Sequence, residues 1–289
     1  MKILLFGKDG QVGFELQRSL APLGEVIALN RQQLDLSNTT AITDSIQQHR
    51  PDWIVNAAAY TAVDKAETEV DLAMQINALA PEVMANAAKK VGCGLLHYST
   101  DYVFDGSKSS PWLETDIASP VNVYGQSKWL GEEAILASGC QHLIVRTSWV
   151  YDARGQNFLN TMMRLAQSKD SLNIVDEQIG APTWSRHIAD ASTHLLRMAK
   201  PQHDGIYHLT GSGQTSWFGF AKAIFERAGA SGLKVPDITP ILTKDYPTLA
   251  TRPANSLLNG QKLYKSFGLR LPDWQQSLSL VMQQKLHSD

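Results

Sequence analysis

Apolar positions in the first half of this chain follow two rhythms: short unbroken runs, and longer stretches spaced three and four apart. The unbroken runs fall at residues 3–6, 26–29, 53–55, 95–98 and 142–145. A run apolar on both faces suits a strand buried inside a parallel sheet. Helical patterns at about 11–21, 38–48, 70–91 and 123–136 separate them. Strand and helix in alternation predict an α/β class, with a doubly wound parallel sheet of the Rossmann type over residues 1–149.

The second half is less regular. Helical patterns at 158–167, 185–199, 217–227 and 274–286 mix with strand-like runs at 172–175 and 206–209. Prolines 236, 240, 247 and 253 mark residues 236–253 as loop. The expected division gives residues 1–149 and about 171–205 to a dinucleotide-binding domain. Residues of about 150–170 and 206–289 then form a smaller, irregular α/β substrate-binding lobe. Ligands of open α/β sheets bind at the carboxyl ends of the strands, so this lobe is expected to close over that edge.

Composition narrows the function classes. At roughly 150 residues per domain, 289 residues make about two lobes. With 26 basic and 28 acidic residues the net charge is −2, which offers no electrostatic footprint for nucleic acid or an anionic membrane. Cys93 and Cys140 are the two cysteines, too few for a disulfide scaffold and without the spacing of a zinc site. The apolar run at 3–6 stops at Gly7, short of a signal peptide or a membrane span. A soluble, cytoplasmic protein is expected.

Gly7-Lys8-Asp9-Gly10-Gln11-Val12-Gly13 lies between the first strand and the first helix. Glycines at that spacing allow a tight turn and close backbone approach to a pyrophosphate, whose charge the helix start then holds. An ordinary strand-to-helix turn can carry the same glycines, but the strand–loop–helix setting favours a dinucleotide. Asn30-Arg31 end the second strand with no carboxylate before Asp35. An arginine there suits the 2′-phosphate of NADP, so NADPH is the preferred cofactor with NADH possible. The alternative is a solvated Arg31 that pairs with nothing. Asp35-Leu36 stand where an adenine would lie, and the small side chains of Ala57, Ala58 and Ala59 leave room for a cofactor. Simple packing would explain each of these as well.

The chemistry concentrates in Tyr124-Gly125-Gln126-Ser127-Lys128. Tyr and Lys four apart share one helix face. A free phenol titrates near 10, and a neighbouring ammonium favours its ionised form. Thr100, in Tyr98-Ser99-Thr100-Asp101, closes the fourth strand at the same edge of the sheet.

These residues resemble the extended short-chain dehydrogenase/reductase superfamily and, within it, the dTDP-4-dehydrorhamnose reductase family. The narrower likeness rests on residues 4–13, 56–67 and 99–104, on Asn122-Val123-Tyr124-Gly125, and on residues 146–151. Gly180-Ala181-Pro182-Thr183 and Arg252-Pro253-x-x-Ser256-x-Leu258 extend it over nearly the whole chain. The resemblance implies reduction of the C4 keto group of dTDP-4-dehydro-β-L-rhamnose by NADPH or NADH. Tyr124 would protonate the C4 oxygen. Lys128 would hold the nicotinamide ribose and lower the tyrosine's pKa. Thr100 would bond at the carbonyl, with Asp101, Trp149 and Arg252 on the sugar.

Other readings remain open at this level. Related 4,6-dehydratases carry Thr-Asp-Glu where this chain has Thr100-Asp101-Tyr102, and Tyr102 is a poor second acid–base near neutrality. A related nucleotide 4-keto sugar is an alternative substrate, and a non-catalytic regulatory subunit of similar fold an alternative role. Some relatives dimerise around Mg²⁺ held by glutamates. Glu15 matches one of these, but Arg186 stands at another and the helix 274–286 has none. Magnesium needs hard oxygen ligands, so no metal site is expected here. Arg186 is placed to pair with Glu15 instead, leaving a monomer or a metal-independent homodimer.

Overall fold

The computed structural model describes residues 1–286. Its main sheet is built from β1 (Lys2–Phe6), β2 (Glu25–Leu29), β3 (Trp53–Asn56), β4 (Gly94–Thr100), β5 (His142–Thr147) and the strand Gly205–His208. All neighbours are parallel, in the spatial order Gly205–His208, β5, β4, β3, β1, β2. The order reverses between β1 and β3, and the crevice beyond their carboxyl ends is the ligand position of such folds.

Strand alternation splits the apolar runs between the sheet's two faces. Ile3, Leu5, Val55, Leu96, Leu143 and Val145 meet Leu16 and Leu20 of α1 (Gln11–Leu20) and Ile188 and Leu195 of the helix Ser185–Met198. Leu4, Phe6, Ile54, Leu95 and Ile144 meet Ile42 and Ile46 of α2 (Thr39–His49), Met84, and Ile135. The doubly wound sheet is as expected.

A separate apolar cluster joins Tyr151, Leu159, Trp184, Phe220, Trp274 and Leu278 beneath the irregular second half. Three details differ from the sequence reading. The strand Gly205–His208 pairs with β5, so the large sheet takes in residues first assigned to the smaller lobe. Residues 237–241 are no loop: Asp237–Ile241 pairs in parallel with Ser171–Val175. Asp237 N–H donates to the Asp170 carbonyl and Asp176 N–H to the Ile241 carbonyl. The odd positions therefore bond the partner, and Pro240, on the outer edge of a two-stranded sheet, forfeits no ladder bond. The helix at 70–91 is continuous but carries one wide π turn at Gln75–Leu79.

Candidate active site

The glycine loop is tight because its backbone segments touch. A Cβ at Gly13 would lie 2.0 Å from the Gly7 carbonyl oxygen, so only glycine lets α1 start directly against the turn. Above it opens a cavity of about 790 Å³. Gly7, Gly10, Gln11, Val12, Asn30, Arg31, Asp35, Leu36, Ala57, Ala58, Ala59, Tyr124 and Lys128 line it. Gly13 lies beneath the loop and supports it. An elongated cleft from a helix start, past small side chains, to a buried lysine fits a dinucleotide.

Arg31 is the most exposed of these side chains. Its Nε donates to Asp35 Oδ2 at 3.1 Å, so the guanidinium already has a carboxylate beside it. Asp35 is held below the usual carboxylate range, first by the Ser37 backbone N–H and further by Arg31. Asn30 is fixed by Asp9, with Nδ2 to Oδ2 at 2.9 Å.

At the other end, Lys128 is buried. Its Nζ donates to the Tyr98 carbonyl at 2.6 Å and lies 3.1 Å from His97 Nε2. An ammonium has three N–H bonds, so one remains for the cavity that Lys128 lines. Burial draws its pKa down to about 8, against the Glu132 carboxylate, which raises it. His97 is itself wedged between Lys128 and Asn56, whose Nδ2 sits 3.0 Å from His97 Nδ1. Burial and then the Lys128 charge push His97 well below its usual value, so the ring stays neutral. No sequence motif marks His97 as part of this set.

Tyr124 follows the N-cap Asn122, whose side chain accepts from Gly125 N–H at 2.7 Å. A Cβ at Gly125 would lie 2.1 Å from the Tyr102 carbonyl oxygen. That close approach seats the helix Val123–Ser138 on the turn after β4 and brings Tyr124 to Thr100. Thr100 stands beside the Tyr124 phenol and acts to lower its pKa, but burial is the larger effect and raises it. Lys128 was expected to lower it. In the folded chain the lysine's nearest partners are His97 and the Tyr98 carbonyl instead, and the phenol stays protonated near neutrality.

Thr100 Oγ1 donates to Asp101 Oδ1 at 3.0 Å and accepts from Tyr102 N–H at 3.2 Å. Burial raises Asp101 to about 6, opposed by Ser256 and Thr100. Arg252 donates from Nη1 to the Tyr102 hydroxyl at 3.1 Å and from Nη2 to Asp64 at 2.8 Å. Tyr102 packs edge-on against Tyr124, with centroids 5.6 Å apart. Thr100, Asp101 and Arg252 thus gather around Tyr102 and Tyr124, outside the residues that line the cofactor cleft. Trp149 has a positive φ of 47° and stacks on Trp217 at 3.6 Å, outside the cleft walls.

The loop 57–61 is pinned by Asn77, which accepts from Tyr60 N–H at 2.8 Å and donates to the Tyr60 carbonyl and the Ser127 hydroxyl at 3.0 Å each. Asn77 sits in the π turn, a common place for a functional side chain. Sequence reading missed it, along with Ser99, Thr147, Asp152 and Arg154 on the cleft wall. The expected pairing of Glu15 is present: Arg186 Nε and Nη2 donate to its two oxygens at 3.0 and 3.1 Å, and Arg18 Nε adds a bond at 3.2 Å. Burial would raise Glu15, but these guanidinium groups hold it below the usual range.

A nucleotide cleft at the switch point, ending in Tyr124 and a buried Lys128 with Thr100 beside the phenol, defines a dinucleotide-dependent oxidoreductase of the short-chain type. The chain belongs to the family described as RmlD substrate binding domain, whose model matches residues 1–287. It is similar to the dTDP-4-dehydrorhamnose reductase of Burkholderia thailandensis, 50% identical with 99% of each chain covered. The Escherichia coli K12 protein of that name is 49% identical with 95% of each covered. Among solved structures, a dTDP-4-dehydrorhamnose reductase from Bacillus anthracis in complex with NADP matches at a TM-score of 0.92, 34% identical. There the match covers 98% of this chain and 99% of the other.

Proposed function

We propose that this protein reduces the C4 keto group of dTDP-4-dehydro-β-L-rhamnose to dTDP-β-L-rhamnose with NADPH. The observation that carries the chemistry is Tyr124 beside Thr100 and four residues from a buried Lys128, at the end of the cofactor cleft. The nucleotide and sugar rest on full-length relatives of that activity. A bound NADPH supplies the hydride. Tyr124 gives its proton to the C4 oxygen as negative charge develops there, because an alkoxide is a far stronger base than a phenolate. Thr100 orients the phenol. Lys128 offers its free N–H to the ribose and, as an ammonium, favours the phenolate left behind. Asp101 and Arg252 border the sugar, with Trp149 beyond them. Residues 1–149 and about 171–205 make up the dinucleotide-binding domain, and the lobe around Trp217 and Trp274 closes on the sugar.

Purified protein alone, given NADPH and a panel of nucleotide 4-keto sugars, should consume NADPH fastest with the dTDP-linked rhamnose precursor. Preference for another sugar would move the substrate, and no turnover would favour a non-catalytic binding role. NADPH preference is assigned to Arg31. Charge-assisted bonds to a phosphate are worth about 1.5–3 kcal/mol, less at an exposed side chain already facing Asp35. Arg31→Ala should therefore raise the Kd of NADPH severalfold and leave NADH nearly unchanged. Equal loss for both would make Arg31 a surface charge.

No helix among the described residues is long and apolar enough to cross a membrane. With Glu15 committed to Arg186 and Arg18, assembly is assigned to contacts other than a shared magnesium. Sedimentation in Mg²⁺ and in EDTA should give the same mass. A dimer that dissociates on chelation would contradict this.

A further inference from the structure

A strap from the second half of the chain crosses the glycine loop. Asn157 Nδ2 donates to Gln11 Oε1 at 2.8 Å and to the Asp152 carbonyl at 2.9 Å. Asn160 Nδ2 holds the Gly155 carbonyl at 2.9 Å. These bonds tie residues 152–157 to the first turn of α1, and Arg154, Gly155 and Gln156 become one wall of the cofactor cleft. Phe14, on α1, is 40% exposed, an unusual setting for a large aromatic. The Arg154 guanidinium lies over its ring, 3.7 Å from the centroid.

That guanidinium is held in place but electrically unmatched. Among the described residues no carboxylate reaches ion-pair distance of it. The nearby Asp152 carboxylate is committed to the Ser185 hydroxyl and the Arg154 backbone N–H. The other basic side chains on the cleft wall stand elsewhere: Arg31 beyond β2 and Lys128 beside the Tyr98 carbonyl. A helix start contributes only about half a positive charge, while a dinucleotide brings a doubly charged pyrophosphate to that point. A planar guanidinium, stacked on a ring and facing a helix start, is suited to bidentate phosphate binding.

We propose that Arg154 clamps the pyrophosphate of the dinucleotide from the side opposite the glycine loop, so that the second half of the chain completes the cofactor site. This assignment rests on the oxidoreductase reading above. Because NADPH and NADH share the pyrophosphate, the expected loss is the same for both, unlike that of Arg31.

The test is calorimetric titration of the sugar-free protein with NADPH and with NADH. Arg154→Ala should raise both Kd values about tenfold, the loss of one charge-assisted contact, and flatten their dependence on salt. Arg154→Lys should recover part of the affinity. An exposed side chain can be removed without unfolding, and an unchanged Tm checks that. Unchanged Kd values in Arg154→Ala, or weakening confined to NADPH, would overturn the clamp. Wild-type protein that binds neither dinucleotide would overturn the oxidoreductase reading itself.

Discussion

Tyr124→Phe should lower kcat by roughly 10²–10⁴, the range for removing a general acid, with cofactor affinity nearly unchanged. The hydroxyl acts chiefly when negative charge forms on the substrate oxygen, so its loss is felt in the transition state rather than in binding. The ring itself is kept, and with it the edge-on contact to Tyr102. Steady-state kinetics and a dinucleotide titration on the same preparation separate these quantities. Retained turnover would remove Tyr124 from the chemistry.

Arg146→Ala should destabilise the fold by about 3–5 kcal/mol, the cost of breaking a buried ion pair from one side. Arg146 Nε and Nη2 donate to the two Glu132 oxygens at 2.9 and 2.5 Å, and the side chains are 3% and 0% exposed. Removing the guanidinium strands a carboxylate between the helix Val123–Ser138 and β5, one turn beyond Lys128. Removing both charges by Arg146→Met with Glu132→Leu should restore much of the loss, because the apolar pair carries no desolvation cost. Urea unfolding of the variants measures this. A single variant as stable as wild type would mean that water reaches the pair.

Most of the architecture was legible in the sequence because the sheet is buried on both faces and its strands are continuous apolar runs. The cofactor cleft was legible for a different reason: Gly7 and Gly13 are forced by backbone contact, which leaves a fixed spacing. Tyr124 and Lys128 could be paired because four residues on a helix define one face. The pairing of Arg186 with Glu15 followed from one charge reversal within a recognised pattern.

What stayed hidden depends on contacts between distant segments. His97 reads as one more residue in an apolar run, yet from β4 it touches Lys128 of the helix Val123–Ser138 and Asn56 of β3. Asn77 looks like an ordinary helical residue until the π turn aims it at Tyr60 and Ser127. Pro240 argues against a strand unless its edge position is known. Arg154 belongs to the cleft only because the strap 152–157 folds back over α1. The burial that raises Tyr124 was hidden as well, since burial is decided by the whole packed site and not by spacing along one helix.

The reaction couples hydride delivery to the sugar's C4 with proton donation from the protein. It is tested most directly with NADPH carrying deuterium at the transferable position of the nicotinamide, supplied with dTDP-4-dehydro-β-L-rhamnose and purified protein. The product should be dTDP-β-L-rhamnose with one deuterium at C4, read by proton NMR and mass spectrometry. Product without deuterium, deuterium at another carbon, or no product would contradict the account.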